Sequence, residues 1–202
     1  MGYTICDAKF ITSWFGDKLI DLLQLSQIAF AGRSNVGKSS LINVLCNKKR
    51  LAIVSKTPGK TRYINFFGLK IKHQDKFYTD RLFVDIPGYG FAKISKILRL
   101  KWEELLNVYF KNAHGLKIIV LIIDSNVGLT LLDKILIEWL KDLNINFIIT
   151  ANKFDKLQKS VGLALINKTR NEYTGIEVIP VSAKTRYNID YLRNFLLSFI
   201  MS

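Results

Sequence analysis

The chain has 202 residues, 49% of them hydrophobic, which suits one domain with a real core and excludes a disordered tail. Thirty Lys and Arg against 16 Asp and Glu leave a formal charge of +14. So large an excess of positive charge points to a polyanionic partner, RNA ahead of membrane lipid.

No apolar run approaches the roughly 20 residues of a membrane helix. The first residues lack the basic-then-apolar order of a secretion signal. Cys6 and Cys46 sit in no metal spacing. The cytoplasm is therefore the expected compartment. Residues 1–26 are too short for a domain of their own and read as an N-terminal extension packed on a domain formed by 27–202.

Strand-like runs fall near 27–31, 63–71, 77–85, 116–123, 145–150 and 176–180, with helical stretches near 38–46, 95–111, 130–143, 157–171 and 187–200. That alternation predicts an α/β fold, a mostly parallel six-stranded sheet with helices on both faces. The runs 63–71 and 77–85 flank His73 to Lys76 with no room for a helix, so they should form a hairpin that places one antiparallel strand at the sheet edge. In such folds ligands bind at the carboxyl ends of the strands.

The first strand runs into Gly32, Arg33, Ser34, Asn35, Val36, Gly37, Lys38 and Ser39, a complete G-x-x-x-x-G-K-S phosphate loop that opens a helix. Its glycines let successive N–H groups point at phosphate oxygens, and the helix N-terminus adds a favourable dipole. Lys38 can reach the β- and γ-phosphates, and Ser39 can ligate Mg²⁺. Next comes the basic segment Lys56 to Arg62, which holds two hydroxyls that could complete Mg²⁺ coordination only when a γ-phosphate is present, Thr57 and Thr61. Thr61 is preferred because it abuts the strand that begins at Tyr63. Asp85, Ile86, Pro87 and Gly88 then close an apolar strand. Asp85 can hold Mg²⁺, usually through a water, and the Gly88 N–H can meet the γ-phosphate.

Asn152, Lys153, Phe154 and Asp155 form N-K-x-D after another apolar strand. A carboxylate at Asp155 can accept from the N1–H and 2-amino groups of guanine, whereas adenine would leave that charge unpaired. Asn152 can bridge the base and the phosphate loop, and the Lys153 stem can cover the base plane. Ser182, Ala183 and Lys184 follow the last strand, where small residues let a backbone N–H approach the guanine O6. Four segments in one order, each at a strand end, point to a guanine-nucleotide-binding domain.

These residues resemble the EngB family of bacterial ribosome-biogenesis GTPases, within the group that includes Era and TrmE. The likeness rests on Ala29 to Asn43, Thr57 to Phe67 and Val84 to Lys93, and extends from about residue 10 onward. It implies a phosphate-loop GTPase domain with Mg²⁺, a catalytic set of Lys38, Thr61 and Gly88, and metal ligation by Ser39, Thr61 and Asp85. It adds Gly59, Lys60, Thr61, Arg62 and Tyr63 as nucleotide contacts in the first switch, and Val181, Ser182 and Ala183 at the base. It also implies action on large-subunit rRNA and ribosomal proteins and a need for the protein in normal cell division and septation; a monomer is expected. Asn35 matches a residue that in related GTPases helps hold K⁺, which makes K⁺ a candidate cofactor. Tyr89 stands where Ras-type enzymes place a water-orienting Gln, so slow unassisted hydrolysis is expected.

Two functions follow. In the first, GTP orders residues 55–65 and 86–96, and the nearby basic residues Lys48, Lys49, Arg50, Lys56, Lys60, Arg62, Lys93, Lys96, Arg99 and Lys101 meet rRNA. In the second, a membrane- or septum-associated GTP-dependent module meets anionic lipid. The nearest amphipathic segment for that, Ile94 to Lys111, is adequately explained by core packing, so no stable membrane association is expected.

Overall fold

The continuous apolar runs become the inner strands of one sheet. A computed structural model describes residues 2–16, 20–53, 63–90 and 96–201. Its strands are β1 (Thr4–Trp14), β2 (Ser26–Gly32), β3 (Ile64–His73), β4 (Lys76–Asp85), β5 (Leu116–Asp124), β6 (Phe147–Asn152) and β7 (Val178–Pro180). Its helices are α1 (Lys38–Leu45), α2 (Lys96–Asn112), α3 (Leu131–Asp142), α4 (Lys159–Glu172) and α5 (Ile189–Ile200).

The strand order is β1-β3-β4-β2-β5-β6-β7. β4, β2, β5, β6 and β7 run parallel, while β3 pairs antiparallel with both β4 and β1. The class is the expected phosphate-loop GTPase fold, and the 63–85 hairpin forms. The sheet has seven strands among the described residues where six were expected, and the antiparallel strand β3 lies inside it, covered by β1. The physical reason is visible in β1. Only Ile5, Ala8 and Trp14 of its 11 residues are buried, and irregularities at Ile5/Asp7 and Phe10/Thr12 break the two-residue alternation that marks a strand.

Both faces of the sheet are covered. Leu106 and Tyr109 of α2, Leu136 and Ile137 of α3 and Ile166 of α4 pack on one face with Trp14, Phe66 and Val84. Leu41 and Ile42 of α1 and Leu192 and Leu196 of α5 pack on the other with Ile28, Phe30 and Phe83. β5 shows why such a strand reads as an unbroken apolar run: Ile118 to Ile123 are all buried between two helical layers.

A buried amide anchors the base of the central strand. Gln27 Nε2 donates to the carbonyls of Leu22, Leu23 and Leu25 at 3.1–3.3 Å, and the Tyr109 hydroxyl donates to Gln27 Oε1 at 2.7 Å. This ties the turn at Asp21–Gln24 and α2 to the start of β2, which leads into the phosphate loop. No helix among the described residues is long and apolar enough to cross a membrane.

Candidate functional site

The loop after β2 is shaped by close approach. A Cβ on Gly32 would lie 2.6 Å from the Ile122 carbonyl oxygen, so only glycine lets the strand end pass β5 there. Gly37 caps α1 at φ 94°, a left-handed conformation, and a side chain on it would strike the Asn152 amide. α1 has neither a side-chain cap nor an acidic residue in its first turn. Its first N–H groups and its dipole therefore remain free to meet an anion. Lys38 and Ser39 are its first two residues, with Lys38 buried.

β4 delivers the second segment. The Ile86 N–H donates to the Phe30 carbonyl at 3.0 Å, and the Ser34 N–H donates to the Tyr89 carbonyl at 3.0 Å. Gly88 lies against Gly32 and Ser34, where an added Cβ would come within 3.3–3.5 Å of the Gly32 carbonyl and of Ser34 Oγ and N. From the other side, Trp102 Nε1 of α2 donates to the Pro87 carbonyl at 3.0 Å. Asp85 ends β4 almost fully buried and forms an ion pair with Lys38.

Ser34 Oγ is buried with no hydrogen-bond partner among the described residues, beside the Gly88 backbone. An orphaned hydroxyl, a lysine and free helix N–H groups around one loop fit a phosphate chain. Ser39 and Asp85 supply two hard oxygen donors, the modest protein set that Mg²⁺ takes when phosphates and waters complete its shell.

The third and fourth segments meet across the sheet end. The buried Asn152 donates from Nδ2 to the Val36 carbonyl at 2.9 Å and accepts from the Ala183 N–H at Oδ1, 3.1 Å away. One amide thus joins the phosphate loop to the loop after β7. Asp155 is exposed, and its Oδ1 accepts from Ser182 Oγ at 2.6 Å; that oxygen in turn accepts from the Thr185 N–H at 3.0 Å. The Phe154 N–H donates to the Val181 carbonyl at 3.1 Å, and its ring stacks on Tyr187 at 5.6 Å. Phe154 is therefore a packing residue that sets the turn.

The family profile described as 50S ribosome-binding GTPase matches residues 27–153, a span that holds the first two of these four segments and the first two residues of the third, Asn152 and Lys153. A probable GTP-binding protein EngB from Thermotoga petrophila is 42% identical over 177 residues, covering 86% of each chain. The chain belongs to the EngB family of GTP-binding proteins. A crystal structure of a probable EngB protein matches with a TM-score of 0.65 and 29% identity, over 87% of this chain and 98% of that one. A structure of Era with MgGDPNP and nucleotides 1506–1542 of 16S ribosomal RNA matches with a TM-score of 0.68 and 27% identity, over 87% of this chain and 57% of that one.

In this EngB-family chain, Gly32 to Ser39, Asp85 to Gly88, Asn152 to Asp155 and Val181 to Ala183 converge on one end of the sheet. Gly59, Lys60, Thr61 and Arg62, together with Thr57, lie outside the described residues. Tyr63 packs its ring on Phe15 of the N-terminal segment, with centroids 4.1 Å apart. Sequence reasoning missed Asp124, which ends β5. Lys153 Nζ donates to Asp124 Oδ2 at 2.7 Å and to the Asn35 carbonyl at 2.6 Å. Burial opposes ionisation of Asp124, yet the Lys153 ammonium and the Asn126 N–H groups together hold its carboxyl below the usual range. Its signal was present: like Asp85 and Asn152, it is the polar residue that ends a buried strand. Also missed was Asp133 of α3, which meets Tyr89 and Arg33.

Proposed function

We propose that the chain is a GTP-dependent switch that binds GTP with Mg²⁺, hydrolyses it slowly and acts in the cytoplasm on assembly of the large ribosomal subunit, a role on which normal cell division and septation depend. The observation that carries the nucleotide reading is the Asn152 bridge between the Val36 carbonyl and the Ala183 N–H, because it makes the base-side loops and the phosphate loop one site. The ribosomal reading is supported by the family's description, by the rRNA held by Era and by the charge of +14.

Within this reading the α1 N–H groups and Lys38 hold the β- and γ-phosphates, and Asp155 selects guanine. Ser39, Asp85 and Thr61 would hold Mg²⁺, which supplies Lewis-acid charge to the β- and γ-phosphate oxygens when bound. Lys38 and Asp85, paired with each other here, would then exchange that contact for phosphate and metal. A water oxygen bonds to the γ-phosphorus as the bond to the β–γ bridging oxygen breaks. The products are GDP and phosphate, and the proton of the water leaves on phosphate. The Gly88 N–H meets the transferring group. Tyr89 turns its ring into the core and commits its hydroxyl to Asp133, so it presents no group to orient that water. Turnover by the isolated chain should fall well below the roughly 1–100 s⁻¹ of efficient phosphoryl-transfer enzymes.

The test is a sucrose-gradient profile of the full chain with isolated large ribosomal subunits, under a GTP analogue and under GDP. Co-sedimentation with the analogue, release with GDP and a steep loss of binding with rising salt are expected. Equal association in both nucleotide states would remove the switch, even if the salt dependence survived.

A further inference from the structure

We infer that Asp133, in the first turn of α3, is a positioning residue for GTP hydrolysis that holds the Asp85–Gly88 segment in register with the phosphate loop. The inference rests on the GTPase reading above. Asp133 is 0% exposed, and a buried carboxylate is costly unless its oxygens are satisfied. Both oxygens are used. The Tyr89 hydroxyl donates to Oδ1 at 2.7 Å. The Thr130 N–H and hydroxyl donate to Oδ2 at 2.8 and 2.6 Å, and Arg33 Nε lies 3.4 Å from the same oxygen.

Capping α3 accounts for Thr130 alone. The other two partners come from the site. Arg33 directly follows Gly32 in the phosphate loop, and Tyr89 directly follows Gly88. These two residues already meet through their backbones: they form a parallel bridge, and the Ser34 N–H bonds the Tyr89 carbonyl. Asp133 closes the same junction a second time through side chains. The Tyr89 ring lies edge-on to Trp102, 5.8 Å between centroids, and Trp102 bonds the Pro87 carbonyl. Gly88 is therefore held on both sides by groups anchored in α2 and α3.

The consequence concerns rate more than binding. The Gly88 N–H matters only where it meets the γ-phosphate, whereas GDP is held by α1 and the base loops. Loosening the Asp133 junction should misplace that N–H without loosening GDP. Catalysis is sensitive to such small misplacement.

The experiment uses the full chain and three variants. Tyr89→Phe keeps the ring and deletes one hydroxyl. Asp133→Asn keeps the shape and deletes the charge. Thr130→Ala removes the capping hydroxyl bound to Asp133 Oδ2 and leaves the Tyr89 and Arg33 contacts of Asp133 in place. Single-turnover GTP hydrolysis, fluorescent-GDP affinity and the thermal midpoint are measured for each. Tyr89→Phe is expected to slow hydrolysis about tenfold, the worth of one buried hydrogen bond to a charged group. Its GDP affinity should stay within about twofold of the parent. Asp133→Asn should slow hydrolysis at least as much, and the double variant no further than the worse single one. Thr130→Ala should lower the midpoint and leave the rate unchanged. Parental rates in both Tyr89→Phe and Asp133→Asn, rate losses matched by equal losses of GDP affinity, or equal slowing by Thr130→Ala would each overturn the inference. A parent chain that neither binds nor hydrolyses GTP would instead overturn the reading beneath it, and the parent measurement shows this by itself.

Discussion

In the proposed function, base choice turns on Asp155. Its carboxylate is exposed yet oriented, because Ser182 donates to Oδ1 and is itself fixed by the Thr185 N–H. Guanine offers two donors to such a group. Asp155→Asn should therefore weaken GTP by about 10–100-fold, the range for hydrogen bonds to a charged acceptor. It should also raise affinity for xanthosine triphosphate, whose position-2 carbonyl can accept from the new amide. Fluorescent-nucleotide titration checks both, and unchanged GTP affinity would remove Asp155 from the base site. The position of Asp155 was legible in N-K-x-D alone. The Ser182 hydroxyl that orients it was not, because Ser182 lies 27 residues away and only the pairing of β6 with β7 brings it close.

At the scale of elements, strand ends act as fasteners. β5 ends in Asp124, β6 leads into Lys153, and their ion pair lies beside the Asn35 carbonyl of the phosphate loop. The Asp124 carboxyl is held below its ordinary value in the folded chain. A depressed folded-state value means that its contribution to stability is full above the ordinary carboxylate range of about 4 and is lost as pH falls through the lower folded value. Asp124→Asn should therefore reduce stability at neutral pH and flatten the acid limb of the stability curve. Denaturant unfolding from pH 7 to pH 2 measures this, and an unchanged acid limb would remove the pair as a fastener. The inner strands and the five helices of the described residues were legible because apolar runs and helical periodicity survive burial between layers. β1 was not, since two irregularities and a mostly exposed face erase its alternation. Asp133 was hidden for another reason: in the sequence it is an ordinary third residue of a capped helix, and only folding brings Tyr89 and Arg33 to it.

At the scale of the molecule, the strand order gathers distant segments into one site. β4, β2, β5 and β6 lie side by side and parallel, so the residues that leave their carboxyl ends must meet. Asn152 spans 116 residues of sequence to reach Val36. A ligand that touches all these loops stabilises the whole fold, because binding to the folded state alone shifts the unfolding equilibrium. GDP with Mg²⁺ at about 100 times its dissociation constant should add about 2.7 kcal/mol, roughly 5–10 °C for a domain of this size. The most direct measurement is the thermal unfolding midpoint of the full chain with Mg²⁺ and either GDP or ADP at matched concentrations. A rise with GDP and none with ADP is the expected result. An equal rise with ADP, or no rise with saturating GDP, would contradict a guanine site built from these strand ends.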